Sequence, residues 1–204
     1  VMQGYENYDL QEEDPYLLSG STCLINRLGI TDTQALNEAE AAISEVAFAE
    51  LIANPIEPTF NLEHLCRIHH YLFRDIYEWA GQLRQTEISK GGQLFLPYRN
   101  IEDVAAEVFY QLQKDSFLRE LDETEFAYKA AYYLGRVNMI HPFREGNGRV
   151  QRIFLDQLAE LSGYAFQWSG VSGERMAAAC REARQQKPAY TKLERLLATS
   201  IIRL

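Results

Sequence analysis

Cysteine is scarce in this chain of 204 residues: Cys23, Cys66 and Cys180 are the whole supply. An odd count at wide spacing does not suggest a disulfide framework or a zinc site. Cys66 does lie among His64, His69 and His70. On one helix, however, only residues three or four apart share a face, so these make at most a pair, and packing is the favoured reading. Long apolar runs are also missing. No stretch reaches membrane-spanning length and no leader peptide is visible, so no membrane partner is expected and the cytoplasm is the expected compartment. Runs of Lys and Arg are absent too. With 29 acids against 20 bases and a net charge of −9, direct nucleic-acid binding is disfavoured. There are no repeats, low-complexity tracts or clear linkers, so residues 1–204 read as one domain. At 47% hydrophobic and 24% charged, the chain is long and apolar enough for a core of its own.

What is present is mostly helical periodicity. Residues 1–20 read as a polar, tyrosine-containing arm. Thr31-Asp32-Thr33 is a helix entry, followed at helical spacing by Ala35, Leu36, Ala39, Ala42, Ile43, Val46 and Leu51. Asn54-Pro55 and Pro58 break that helix. A second runs from Asn61 or Leu62 to about Tyr77, and a third from about Ile101 to Phe117. Two more flank residue 141. The last pair covers Glu174 to Arg184 and Tyr190 to Arg203, after an apolar connector of Phe166, Trp168 and Val171. Residues 86–96 change period: two short strand-like runs surround Lys90-Gly91-Gly92, a hairpin signal. From spacing alone a plain helix connection is the better reading there. The expectation is an all-α helical bundle with, at most, one small hairpin.

The chemistry concentrates in residues 141–152, His141-Pro142-Phe143-Arg144-Glu145-Gly146-Asn147-Gly148-Arg149 and on through Arg152. Before it lies the stripe Phe126, Ala130, Leu134, Val137, with His141 four residues further on the same face. Pro142 ends that helix near His141. After it comes a helix from about Gly148 to Leu161, with Asn147 as a good helix starter. A helix start offers outward N–H groups and the positive end of a dipole. Glycines let an anion approach the backbone. Arg149 and Arg152, three apart, put two cations where positive charge is normally unfavourable, which calls for a bound anion. Glu145 adds a hard oxygen suited to Mg²⁺, and His141 can accept a proton near neutral pH.

Each residue also has an ordinary explanation. His141 could be a packed core histidine and Glu145 a solvated acid. Gly-Asn-Gly could be a plain turn, and Arg152 could pair with Asp156 at i, i+4. Together within one short stretch, they are better explained by a phosphate site.

The stretch matches, at every specified position, the signature His-x-Phe-x-Asp/Glu-Gly-Asn-Gly-Arg-x-x-Arg, and in this the chain resembles the Fic family. Ile68-His69-His70-Tyr71-Leu72-Phe73 and Ile76 to Arg84 also look like that family's segment before its flap. The resemblance implies a Fic fold with a β-hairpin flap over 86–96 that docks the target's modifiable segment, with Ile88, Leu94, Phe95 and Leu96 as flap contacts. It further implies transfer of AMP from ATP to a hydroxyl side chain of a target protein. In that reading His141 is the base, Phe143 fixes the loop and Glu145 holds Mg²⁺. Gly146, Asn147 and Gly148 position phosphates, and Arg149 and Arg152 take the β- and γ-phosphates. Arg144, with Arg149 and Arg152, is expected to offset the acidic bulk charge toward ATP. Gly148 stands where the related Doc branch has Lys and phosphorylates instead. Relatives that transfer UMP or phosphocholine, and a nucleotide-dependent scaffold, are the alternatives. Many Fic proteins are inhibited by a helix of pattern Ser/Thr-x-x-x-Glu-Gly/Asn whose Glu pairs with the last Arg, here Arg152. Ser116 with Glu120 and Thr59 with Glu63 do not complete that pattern. A separate small antitoxin is therefore the expected partner, with a bacterial type II topoisomerase as the expected target.

Overall fold

The computed structural model describes residues 8–9 and 13–204; the remainder of the expected arm lies outside the described residues. Seven α-helices carry the described chain: α1 (Thr33–Ala53), α2 (Leu62–Phe73), α3 (Ile101–Lys114), α4 (Glu123–Ile140), α5 (Asn147–Leu161), α6 (Gly173–Ala183) and α7 (Thr191–Ala198). Four of them start on a side chain that accepts a backbone N–H: Asp32 from Ala35, Asn61 from His64, Asp122 from Glu125 and Ser172 from Arg175. Each such cap contributes about 1 kcal/mol.

Helix α4 is the axis of the bundle and packs against α3, α5, α6 and α7. Its predicted stripe of Phe126, Ala130, Leu134 and Val137 is buried, and so are Ala127, Ala131 and Gly135 between those positions. Small residues off the stripe let neighbours close in on more than one side, as expected of a helix buried nearly all round.

Several boundaries differ from the periodicity. Helix α2 ends at Phe73 rather than near Tyr77, and α3 ends at Lys114. Beyond α3, Ser116, Phe117 and Leu118 adopt positive φ in a tight turn. Helix α7 ends at Ala198. The residues after it form strand β4 (Ile201–Arg203), which pairs antiparallel with β3 (Tyr164–Phe166) in the register Tyr164↔Arg203, Ala165↔Ile202, Phe166↔Ile201. Strands this short carry too few alternations to show a period of two.

The predicted stripe of α1 needs a larger correction. Val46 is 62% exposed, whereas Glu40 and Ser44 are buried with Leu36 and Leu51. The inward face follows the i, i+4, i+8 line through Leu36, Glu40 and Ser44, because those two polar groups meet an arginine from α5.

Between α2 and α3 a hairpin does form, from β1 (Ser89–Lys90) and β2 (Gln93–Leu94), with Ser89 opposite Leu94 and Lys90 opposite Gln93. Gly91 and Gly92 both take positive φ, +60° and +74°, the backbone a two-residue hairpin turn of this hand requires.

Candidate active site

The loop between α4 and α5 is fixed from inside before any ligand is considered. Helix α4 ends with His141 in the left-handed region (φ 48°, ψ 65°), uncommon for a non-glycine residue. His141 Nδ1 is 2.8 Å from the carbonyl of Asn138. A carbonyl only accepts, so Nδ1 carries the proton and Nε2 keeps its lone pair. The ring lies flat on Phe95 of the flap, centroids 3.7 Å apart.

Phe143 is fully buried and stacks on His69, centroids 4.0 Å apart. His69 Nε2 donates to the carbonyl of Glu145 at 3.0 Å, and its Nδ1 accepts from Gly81 N at 2.8 Å. Burial pushes this imidazole down to about 3, so it is neutral, with its tautomer set by those two partners. Sequence reading placed His69 in the resemblance without a role; its structural task is to hold the loop. The Asn147 side chain accepts from Phe143 N at 3.0 Å and donates to Phe143 O at 2.8 Å. It thus shapes the loop instead of pointing at a phosphate. Helix α5 begins one residue earlier than predicted, at Asn147, and its cap is Gly146 at φ +81° with no capping side chain. A Cβ on Gly146 would overlap the ring of Phe73.

A cavity of ≈ 460 Å³ opens beside this loop. His141, Glu145, Gly146, Gly148, Arg149 and Arg152 all border it, with Phe95, Trp168 and Arg184 among its other walls. Sequence reading named the first six; Phe143, Arg144 and Asn147, which it also named, do not border the cavity. The two arginines share this space but are held differently. Arg149 donates to Glu40 Oε1 at 2.5 Å and to Ser44 Oγ at 2.7 Å on α1, and stands 3.5 Å from Glu145 Oε1. Glu40 also accepts from the Tyr77 hydroxyl. The Arg152 guanidinium lies between the rings of Phe48 and Trp168, at 5.7 and 5.2 Å, and its buried Nε has no hydrogen-bond partner. Burial lowers its pKa from the ordinary arginine value. Asp156, one turn on, is pushed up to about 6 by burial, although it accepts from Trp168 Nε1 at 2.6 Å. Arg144, expected to help attract ATP, is absent from the cavity wall and forms a 2.7 Å ion pair with Asp14, both side chains under 10% exposed.

Of the four expected flap contacts, only Leu94 points out, at 64% exposure. Ile88 and Phe95 are buried, and Leu96 is half-buried with its N–H on the carbonyl of Met139 at 3.0 Å. These three anchor the flap. Arg84, which composition and spacing did not single out, ties the region together. Buried to 1% exposure, it donates to the carbonyls of His141 (2.8 Å), Ile140 (3.3 Å), Thr86 (2.8 Å) and Leu96. It thereby collects orphan carbonyls at the C-terminus of α4 together with both ends of the flap.

Glu145 places one carboxylate on the cavity wall, with Oε1 also accepting from Gly146 N at 2.8 Å. Among the described residues no group of three or more His, Cys, Asp or Glu side chains could hold a metal. A single carboxylate on the cavity wall fits a divalent ion that arrives with a phosphate and keeps its own waters, as Mg²⁺ does. It does not fit a metal bound by the protein alone.

The sequence profile of the Fic/DOC family matches residues 59–159. The chain is 40% identical over 182 residues to the protein adenylyltransferase VbhT of Bartonella schoenbuchensis, spanning 89% of this chain but only 37% of that protein. It is 38% identical over 161 residues to the probable protein adenylyltransferase Fic of Salmonella typhimurium, spanning 79% of this chain and 80% of the relative. Among solved structures, the BepC protein of Bartonella tribocorum, a VirB-translocated effector with bound AMPPNP, superposes with a TM-score of 0.85 at 27% identity, covering 93% of this chain and 97% of the other. The N-terminal Fic domain of a Bartonella quintana Bep effector with bound ADP gives 0.86 at 27% identity, covering 92% and 94%.

Proposed function

The chain belongs to the Fic/DOC family, and from that premise we propose that it is a protein adenylyltransferase. It transfers AMP from ATP to a Tyr, Ser or Thr hydroxyl of a target protein and releases pyrophosphate. One observation carries the reading: His141 presents an unprotonated Nε2 at the edge of a cavity walled by the loop glycines, Arg149 and Arg152. The adenine nucleotides bound in the BepC and Bartonella quintana structures support ATP as the donor.

The steps follow from the side chains. The target hydroxyl attacks the α-phosphorus while its proton passes to His141 Nε2. The N-terminal end of α5 and the guanidinium of Arg152 hold the departing pyrophosphate, and Arg149 fixes the loop while lending charge. Glu145 would hold Mg²⁺, which supplies neutralisation of phosphate charge when bound. Most of the rate gain comes from alignment and fixed charge. Gly148 in place of a Lys favours AMP transfer over phosphorylation. A separate small protein bearing the Ser/Thr-x-x-x-Glu-Gly/Asn helix could reach Arg152, since Arg149 is already engaged by Glu40; a toxin role regulated in that way, with a type II topoisomerase as target, belongs to the same proposal.

Incubation of the protein with a cell extract and ATP labelled at the α- or the γ-phosphorus tests this. Labelled extract protein from the α form alone is the expected result. His141→Ala should still bind ATP and lose transfer by about 10²-fold or more. Label from the γ form alone would mean phosphorylation. Label from neither would favour a scaffold or a UMP or phosphocholine donor.

A further inference from the structure

Arg152 borders the cavity as a cation that no acid has claimed. Its buried Nε has no hydrogen-bond partner, and no carboxylate among the described residues pairs with the guanidinium. Spacing offers one. Asp156 lies four residues further along α5, close enough for each charge to act on the other. The carboxylate is taken by Trp168 instead, whose indole Nε1 donates to Asp156 Oδ1 at 2.6 Å.

Trp168 is placed from outside the loop. It opens the short 3-10 turn Trp168–Gly170 that follows β3, and Gln167 N just before it donates to the carbonyl of Ser200 at 2.7 Å. Its ring packs on Phe166, centroids 4.9 Å apart, and Phe166 packs on Phe126 of α4 at 6.2 Å. Held there, the indole turns a face to the Arg152 guanidinium at 5.2 Å and its N–H to Asp156. Arg152 and Trp168 both border the cavity, whereas Asp156 does not. A guanidinium gripped over its flat face keeps its in-plane N–H groups open to an anion; one paired with a carboxylate commits them.

We propose that Trp168 and Asp156 are positioning residues for Arg152. The indole N–H draws off the carboxylate that would otherwise pair with the guanidinium, while the indole ring holds that guanidinium at the cavity with its donors open to the phosphates of ATP. The inference rests on the adenylyltransferase reading above, in which Arg152 holds the departing pyrophosphate. Neither partner touches the reacting atoms; both act through Arg152.

The test is calorimetric titration of the full chain with ATP and Mg²⁺ at about pH 8, above the value of about 6 that burial gives Asp156. Transfer of α-labelled AMP to extract proteins is measured alongside, with far-UV circular dichroism as the check on folding. Trp168→Phe keeps a ring beside Arg152 and removes the N–H. The released carboxylate then competes with the phosphates, and the dissociation constant for ATP should rise about tenfold. KM for ATP should rise with it, while kcat at saturating ATP changes by less than about twofold. Adding Asp156→Asn to Trp168→Phe removes the competing charge and should recover most of the loss, which a role confined to packing does not predict. An unchanged dissociation constant in Trp168→Phe would overturn the inference, and so would a rise that the double variant does not reverse. Either result, with extract protein still labelled by the parent, leaves the adenylyltransferase reading standing. A parent chain that binds no ATP would overturn both.

Discussion

Gly146 shows how much of the site depends on single positions. Its φ of +81° and the ring of Phe73, which an added methyl group would overlap, leave no room for a side chain. Phe73 cannot yield easily, because its ring is buried against His69 and under Arg149. Gly146→Ala combines left-handed strain with overpacking and should lower stability by about 2–4 kcal/mol, read from urea denaturation. A loss under about 0.5 kcal/mol would mean that the loop relaxes freely. The sequence reads the two flanking glycines as an expected anion cradle, but the reason Gly146 tolerates no substitute is not legible there, since it lies on α2, more than seventy residues upstream.

At the level of elements, the flap and helix α4 are joined through one guanidinium. Arg84→Met would strand the carbonyls of Thr86, Leu96, Ile140 and His141. The expected cost is about 3 kcal/mol or more in unfolding free energy, with transfer activity down at least about tenfold because His141 loses its setting. Arg84→Lys, keeping the charge but fewer donors, should fall between the two; if it matches Met, the fork geometry is what matters. The helices themselves could be read from caps and stripes, as with Asp32, Asn61 and the α4 stripe. The inward face of α1 could not, because Glu40 and Ser44 look like surface residues until Arg149 arrives to pair with them. The β3–β4 pair was hidden for a different reason: its partners are nearly forty residues apart and three residues long.

Across the whole molecule, buried neutral histidines give folding an acid limit. His69 is held at about 3 and His64 at about 4, both by burial, while an unfolded histidine titrates near 6.5. Between those values the unfolded chain binds protons that the folded chain refuses. Stability is therefore fullest above about pH 6.5 and declines as pH falls, by up to about 1.4 kcal/mol per pH unit for each group. His69→Gln should be less stable than the parent near neutrality, with the gap narrowing on acidification. Urea denaturation at about pH 7 and about pH 5.5 measures this; a gap that stays constant would mean His69 does not contribute to the acid slope.

Because Arg84 grips both feet of the hairpin and the last carbonyls before the imidazole, the two cannot move independently. Under the proposed function, a polypeptide that levered the flap outward on arrival would tug at the imidazole in the same motion. Docking strain and the placing of the imidazole thus share one mechanical linkage, and under the proposed function a poorly fitting guest would disturb the reaction it came to undergo.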